Sequence, residues 1–178
     1  VDLDPEKRKM DLTRKYHSTE LFAEKWDGYK DQSTEVKYVA EKTVDIASCC
    51  MEFSTLDRVI YNLVNNAIRH TNDRYVELHA ECISSPDNRQ HMCFYTANKI
   101  SETDEKEMLE ATGGDLNQLF TGRYSSTGSG VGLQICCECV SSAYRVGSLN
   151  KTTDHRLAGA CIEDHVFYAW AFWPILAD

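Results

Sequence analysis

Two asparagines and an arginine share one stripe of a predicted helix. In STLDRVIYNLVNNAIRHT, residues 54–71, Asn62, Asn66 and Arg69 follow at intervals of four and three residues, so their side chains share one helix face. A carboxamide oxygen suits Mg²⁺, which also takes phosphate oxygens and water, and a guanidinium neutralises phosphate charge. The stripe is typical of a magnesium–phosphate site, and equally of an ordinary solvated helix face.

A second segment suited to phosphate binding is GSGVGL, residues 128–133. Its three alternate glycines, Gly128, Gly130 and Gly132, would let backbone N–H groups approach a phosphate closely. The helix predicted to follow them would add its positive N-terminal end. The spacing matches neither the P-loop nor the Rossmann motif, and no clear strand precedes it. The glycines therefore predict an anion-binding turn outside the two common nucleotide folds, with a flexible connector as the alternative.

Helices and strands alternate around these two segments. The helix that carries the asparagines has an apolar face at three- and four-residue spacing, and residues 74–83 and 90–96 alternate as a hairpin of two strands. Residues 97–128 are polar with little period, which predicts a mobile segment over 99–128 with a helical part around residues 105–111. A helix is predicted over 129–144. Strands are predicted over 34–46, 144–150, 156–164 and 165–174, and the first 32 residues are predicted to be helical.

Composition excludes several classes of protein. The chain has 178 residues, of which 42% are hydrophobic, which suits one domain with a substantial core. A net charge of −9 argues against a broad nucleic-acid-binding surface. The longest nearly apolar run, at residues 166–176, is too short to span a bilayer, and no signal peptide is visible, so no membrane contact is expected. A chain that begins at Val1 is expected to be part of a longer protein.

The eight cysteines indicate a reducing compartment. Two pairs are adjacent in sequence, at 49–50 and 136–137, which fits a disulfide framework poorly. Cys136 and Cys139 form a C-x-x-C pair, but no second such pair completes a zinc site. These cysteines are expected to be small apolar residues on the buried side of a helix. A cytoplasmic location follows as the expectation.

The order of the two motifs resembles the GHKL superfamily of ATPases, and most of all the ATP-binding catalytic domain of two-component sensor histidine kinases. In that family an N-box, N-x-x-x-N-A-x-[KR]-[HY], precedes a flexible lid and a G-x-G-x-G-L box. NLVNNAIRH at residues 62–70 matches the first and GSGVGL matches the second. The resemblance implies an α+β fold, a two-layer α/β sandwich with a mixed, largely antiparallel sheet, helices on one face and a mobile ATP lid. Residues 18–178 would form this domain, and residues 1–17 a linker or the end of a preceding helical domain.

The resemblance also implies ATP and Mg²⁺ as ligands and assigns roles by position. Asn66 is similar to the metal ligand and Arg69 to the residue that contacts phosphate. The glycines resemble the lid hinge and phosphate-binding turn, and Phe120 and Arg123 match, more loosely, an aromatic and a basic residue of the lid. The implied catalytic residues are Asn62, Asn66 and Arg69, and the implied nucleotide-binding residues are Asn66, Arg69, His70, Asn98, Phe120, Arg123, Gly128, Gly130, Gly132 and Leu133.

One family motif is missing. The family has Asp-x-Gly-x-Gly between the second hairpin strand and the lid, and its Asp accepts a hydrogen bond from the adenine amino group. This chain has FYTANKISETD at residues 94–104. Asn98, expected in the turn after the strand, is the nearest candidate acceptor. The alternative is a degenerate module that senses nucleotide or only docks partners.

Position 62 distinguishes between the activities of the superfamily. Members that hydrolyse ATP or phosphorylate serine resemble one another in carrying Glu there, which can activate a water or hydroxyl nucleophile. Asn62 cannot act as a base, whereas a neutral imidazole already has a free lone pair. The sequence thus favours a histidine kinase over a GHKL ATPase. His17 lacks the H-E-L-R context of an acceptor, so the acceptor is expected on a separate dimerisation domain, with a response-regulator receiver domain as the further partner.

Overall fold

A six-stranded mixed sheet forms one layer of the domain. The computed structural model describes residues 17–18, 20–40, 45–46, 53–122 and 130–175, with only the backbone described at 17, 18, 45, 46, 53, 54, 130 and 131. The strands are β1 (His17–Ser18), β2 (Lys30–Asp31), β3 (Thr34–Ala40), β4 (Asp45–Ile46), β5 (Tyr75–Ser84), β6 (Gln90–Lys99), β7 (Ala158–Glu163) and β8 (Val166–Pro174). The main sheet has the order β2-β3-β5-β6-β8-β7, and β1 pairs with β4 separately. Only the pairing of β3 with β5 is parallel within it, so the predicted mixed, largely antiparallel sheet is confirmed.

Helices form the second layer. They are α1 (Glu20–Trp26), α2 (Phe53–His70), α3 (Glu102–Thr112), a 3₁₀ helix (Leu116–Phe120), α4 (Gly130–Ala143) and α5 (Leu149–Asp154). The alternation of β8 shows which sheet face they cover. Phe167, Ala169, Ala171 and Trp173 are buried, whereas the residues between them are only half-buried. The predicted two-layer α/β sandwich is therefore confirmed.

Helix α2 is the element that the sequence predicted most directly. The apolar residues at three- and four-residue spacing are almost completely buried: Leu56, Val59, Ile60, Leu63, Val64 and Ala67. This face packs on the sheet and against α4. The Cys136 thiol of α4 donates a hydrogen bond to the Val59 carbonyl at 3.3 Å, and burial raises the pKa of this thiol well above its ordinary value. The predicted buried position of Cys136 on its helix is confirmed.

Residues 99–122, which precede the glycines, are more ordered in secondary structure than the predicted lid. Residues 102–120 form α3 and the 3₁₀ helix, and Met108, Leu116, Leu119 and Phe120 belong to the core. Helix α3 has an N-cap in which the Ser101 hydroxyl accepts from the Asp104 N–H at 3.1 Å. The helix predicted around residues 105–111 is confirmed as part of α3. The burial of the apolar side chains of this segment was not predicted, and the mobility of residues 99–122 stays a prediction. Residues 123–129 lie outside the described residues, and a lid there stays a prediction.

Three predicted strand boundaries also need correction. Residues 144–148 are a turn and residues 149–150 begin α5, because the Ser148 hydroxyl caps that helix by accepting from the Lys151 N–H. Strand β6 continues beyond Thr96 to Lys99, because its pairing with β8 extends that far. Strands β3 and β4 cover part of the predicted 34–46 segment. No helix in the described part of the chain is long and apolar enough to cross a membrane.

Candidate nucleotide-binding site

The polar stripe of α2 lies beside the apolar face, as predicted. Asn62 and Asn66 are half-buried and Arg69 is exposed. The Asn62 Nδ2 donates to the Arg58 carbonyl at 2.8 Å, one helical turn earlier, which fixes the direction of its carboxamide. The Asn66 Nδ2 is buried and has no hydrogen-bond partner in the described part of the chain. Because an unpaired buried donor is costly, Asn66 is a polar group in need of a partner.

The first turn of α4 lies against this stripe. A β-carbon placed on Gly132 would lie 3.2 Å from the Asn62 Oδ1. Such a distance is tighter than ordinary van der Waals contact, so glycine allows the close approach of α4 to α2 at this point. The contact brings together two motifs that are far apart in sequence. Gly130 is the first residue of α4, whereas Gly128 lies outside the described residues.

Asn98 lies on the strand next to this helix pair, not in a turn. It is 3% exposed on the helix-covered face of β6, opposite Phe167 of β8. Its Nδ2 donates to the Lys99 carbonyl at 3.2 Å, whereas its Oδ1 is buried with no partner. The expected turn position is wrong because the β6–β8 ladder extends through residue 98. The predicted acceptor role is untested, and the unpaired oxygen is the atom that such a role requires.

Thr96 is a polar residue of this face that the sequence analysis missed. Its side chain is completely buried, and its Oγ1 has no hydrogen-bond partner. The inward-facing residues of β6 are Met92, Phe94, Thr96 and Asn98. The signal in the sequence was a hydroxyl that follows two apolar residues on the buried face of the strand.

His70, the last residue of α2, follows Arg69 of the stripe. Burial lowers the pKa of its imidazole; the Asp104 carboxylate opposes this shift by raising the pKa, and the Arg69 guanidinium adds to it by lowering the pKa. The neutral imidazole is therefore favoured near neutral pH, and it can both donate and accept a hydrogen bond. Asp104, the first aspartate after the missing motif and the alternative adenine acceptor to Asn98, belongs to the first turn of α3.

Two of the predicted nucleotide-binding residues are core residues. Phe120 is completely buried and Leu133 is 3% exposed, and both belong to the main hydrophobic cluster. The 3₁₀ helix packs Phe120 into the interior, and its role as an aromatic residue of the lid stays a prediction. Leu133 turns inward from the first turn of α4. Arg123 lies outside the described residues.

Gly122, just after the 3₁₀ helix, is a second glycine that lies in close contact with α4. Its φ of +78° is in the left-handed region, which favours glycine. A β-carbon there would lie 2.6 Å from the Gln134 Oε1 of α4. The chain therefore passes close to α4 immediately before the undescribed residues, and any side chain at position 122 would displace Gln134.

The donor set suits a metal ion carried by the substrate. Among the described side chains, no group of three or more His, Cys, Asp or Glu residues is placed to hold a metal ion. Mg²⁺ keeps several waters and takes phosphate oxygens, so one carboxamide oxygen from Asn66 would suffice on the protein side. The residues fit nucleotide-borne Mg²⁺ better than a resident metal.

Solved structures with the same fold are sensor histidine kinases. Full-length ShkA in complex with AMPPNP has a TM-score of 0.54 and 13% identity, and the match covers 100% of this chain and 31% of that chain. The mycobacterial sensor histidine kinase MprB has a TM-score of 0.50 and 12% identity, with 96% of each chain covered. The chain thus spans less than a third of full-length ShkA. At these identities the likeness concerns the fold, and no curated protein matches the chain in sequence.

The family itself follows from a match over the segment that holds the site. The model of the histidine kinase-, DNA gyrase B- and HSP90-like ATPases matches residues 52–163. This range includes α2, both strands of the β5–β6 hairpin, the glycines and α4. The chain belongs to this ATPase family, and its domain is similar to the catalytic domains of histidine kinases.

Proposed function

We propose that this domain binds Mg-ATP and transfers the γ-phosphoryl group to a histidine on a separate dimerisation domain of a sensor kinase. Residues 18–178 would form the catalytic domain and residues 1–17 its connection to the preceding helices. The phosphoryl group would then pass to a response-regulator receiver domain, which makes this a two-component signalling protein of the cytoplasm.

The observation that carries the proposal is the contact between the two motifs. Asn62 faces Gly132 across the gap between α2 and α4, so the polar stripe and the glycine turn border the same region. The backbone N–H groups at the start of α4 can bind phosphate oxygens, because the first turn of a helix leaves them without intrahelical partners. Arg69, exposed on the same stripe, would add positive charge.

Each polar residue of the site has a proposed role. Asn66 would give an oxygen to Mg²⁺, which neutralises phosphate charge when bound. Asn98 would accept from the adenine amino group through its unpaired Oδ1. Asn62 cannot take a proton, which disfavours activation of water and suits a histidine acceptor, where positioning and charge neutralisation suffice.

The first test is a calorimetric titration of the chain with ATP, in Mg²⁺ and in EDTA. Magnesium-dependent binding is expected, and absence of binding would favour a degenerate docking module. The second test incubates the domain with γ-labelled ATP and the dimerisation domain of its parent protein. Acid-labile, alkali-stable label on that domain is expected. Release of phosphate without acceptor labelling would instead indicate a GHKL ATPase.

A further inference from the structure

We infer that Thr96 is a second residue that recognises the nucleotide base, its hydroxyl donating to a ring nitrogen of adenine beside the amino group that Asn98 accepts. The inference rests on the proposed ATP binding and adds a contact that the family motifs do not include.

The first step is that the Thr96 hydroxyl has no hydrogen-bond partner among the residues that the structure describes. It is completely buried and its Oγ1 makes no hydrogen bond. Its neighbours in register are Leu78 of β5 and Ala169 of β8, whose side chains carry no polar atom. Valine would fill the same space without an unpaired hydroxyl. A hydroxyl here is therefore costly unless a ligand or an ordered water completes it.

The second step is that Thr96 does not stand alone. Asn98, two residues further on the same face of β6, also has a buried, unpaired atom, its Oδ1. Two residues of a strand span about 6.6 Å, which lets both side chains reach one planar heterocycle. Helix α2 packs against β6 and carries a third unpaired atom, the Asn66 Nδ2. Three unsatisfied polar atoms on these two elements indicate a ligand with several hydrogen-bonding groups.

The third step fixes which base suits the pair. The Asn98 Nδ2 is held by the Lys99 carbonyl, so its Oδ1 remains an acceptor and requires a donor, such as the amino group of adenine. The carbonyl oxygen of guanine would meet it as a second acceptor. The Thr96 hydroxyl can donate or accept, and the two ring nitrogens beside the adenine amino group, N1 and N7, are both pure acceptors. The hydroxyl is assigned to N1, which is on the same ring as the amino group. Thr96 therefore contributes affinity, and Asn98 contributes the choice of adenine.

The test measures nucleotide affinity of Thr96→Val, with Thr96→Ser as the matched control that keeps the hydroxyl. Wild type and both variants are titrated with Mg-ATP, with the triphosphate of purine riboside, which lacks the amino group, and with 1-deaza-ATP, which lacks N1. Thr96→Val is expected to weaken ATP and the purine riboside triphosphate about tenfold, the effect of one hydrogen bond. It should leave 1-deaza-ATP unchanged, and Thr96→Ser should bind as wild type. The thermal midpoint of the free Thr96→Val protein should equal or exceed that of wild type.

Two results would overturn the inference while leaving the proposed function intact. One is equal ATP affinity of wild type and Thr96→Val. The other is an equal loss of affinity for ATP and 1-deaza-ATP, which would mean that the hydroxyl does not contact N1. Failure of the wild-type protein to bind Mg-ATP would instead overturn the proposed function, and the base contact with it.

Discussion

Gly132 of α4 lies against Asn62 of α2, with room for a hydrogen but not for a relaxed methyl group. The Asn62 Oδ1 would be 3.2 Å from a β-carbon at position 132, and the Asn62 carboxamide cannot turn away without losing its bond to the Arg58 carbonyl. The spacing between the two helices is thereby set at the point where the polar stripe meets the glycine turn.

The first prediction concerns this contact. Gly132→Ala should weaken Mg-ATP binding, because the methyl group pushes Asn62 and the start of α4 apart. The free energy of unfolding should change by less than about 1 kcal/mol, since alanine is the better helix former and offsets the crowding. Gly147→Ala is the control, because a β-carbon there meets nothing within 4 Å. Titration calorimetry and thermal melts measure both effects, and unchanged affinity in Gly132→Ala would separate this contact from nucleotide binding.

The second prediction concerns Asn66. Asn66→Ala should abolish magnesium-dependent phosphoryl transfer to the acceptor domain and leave the fold intact, because its buried Nδ2 makes no hydrogen bond that the fold would lose. Asn150→Ala, at an exposed asparagine of α5, should transfer normally. The assay is labelling of the acceptor at several Mg²⁺ concentrations, with circular dichroism to verify folding. Normal transfer by Asn66→Ala would remove Asn66 from the metal site.

The third prediction tests the burial of Phe120. Because Phe120 is completely buried in the core, Phe120→Ala should lower the free energy of unfolding by about 3–5 kcal/mol through lost burial and cavity formation. An aromatic residue on an exposed lid would lose little stability when truncated. Urea unfolding of the free domain measures the difference in free energy. Gly114, which is exposed in the loop before the 3₁₀ helix, is unsuitable as a control because its positive φ favours glycine. Glu110→Ala on the exposed face of α3 is suitable.

How far the sequence predicted the fold depended on how local the determining interactions were. The helix α2 and its buried face were predictable because its apolar residues recur at three- and four-residue spacing, whichever element they pack against. For the segment at 99–122 the helix around residues 105–111 was predicted, but its packing was not, because Met108, Leu116 and Phe120 are too sparse to set a period. Their burial depends on contacts with distant elements. The end of β6 was missed for the same reason, since its pairing with β8 is invisible in a single strand.

The site also combines features that local spacing predicts with features that depend on tertiary packing. The stripe of Asn62 and Asn66 follows from helical spacing alone, but its contact with Gly132 requires the packing of α2 on α4, which no local pattern encodes. Thr96 could have been noticed as a hydroxyl in the inward phase of β6. That it lacks a partner could not, because this depends on the apolar side chains of the strands on either side.

The fourth prediction is a pH dependence. The His165 Nδ1 lies 2.8 Å from the Glu105 Oε2 of α3, and this hydrogen bond raises the pKa of His165. A raised folded-state pKa stabilises the fold fully below about 6.5, the ordinary value for histidine. The contribution is lost as the pH rises through the folded-state pKa. His165→Gln and Glu105→Gln should both remove this part of the dependence. Urea unfolding between pH 5 and 8 measures it, and a profile that Glu105→Gln leaves unchanged would show that the pair contributes nothing.

The last prediction concerns the choice of base by Asn98. Asn98→Asp should keep or tighten ATP binding and sharpen selection against GTP, because a carboxylate makes a charge-assisted bond with the adenine amino group about twice as strong as a neutral one. The same change should destabilise the free domain near neutral pH. The carboxylate would be buried and would face the Lys99 carbonyl that Asn98 now binds.

The two effects of Asn98→Asp have separate measurements. Nucleotide affinity comes from titration with Mg-ATP and Mg-GTP, and stability comes from urea unfolding of the free protein. The buried carboxyl group should have a raised pKa, so the loss of stability should shrink as the pH falls and the group becomes neutral. If ATP and GTP affinities both stay at their wild-type values while stability falls, residue 98 is buried but does not contact the base, and the adenine amino group is accepted elsewhere in the domain.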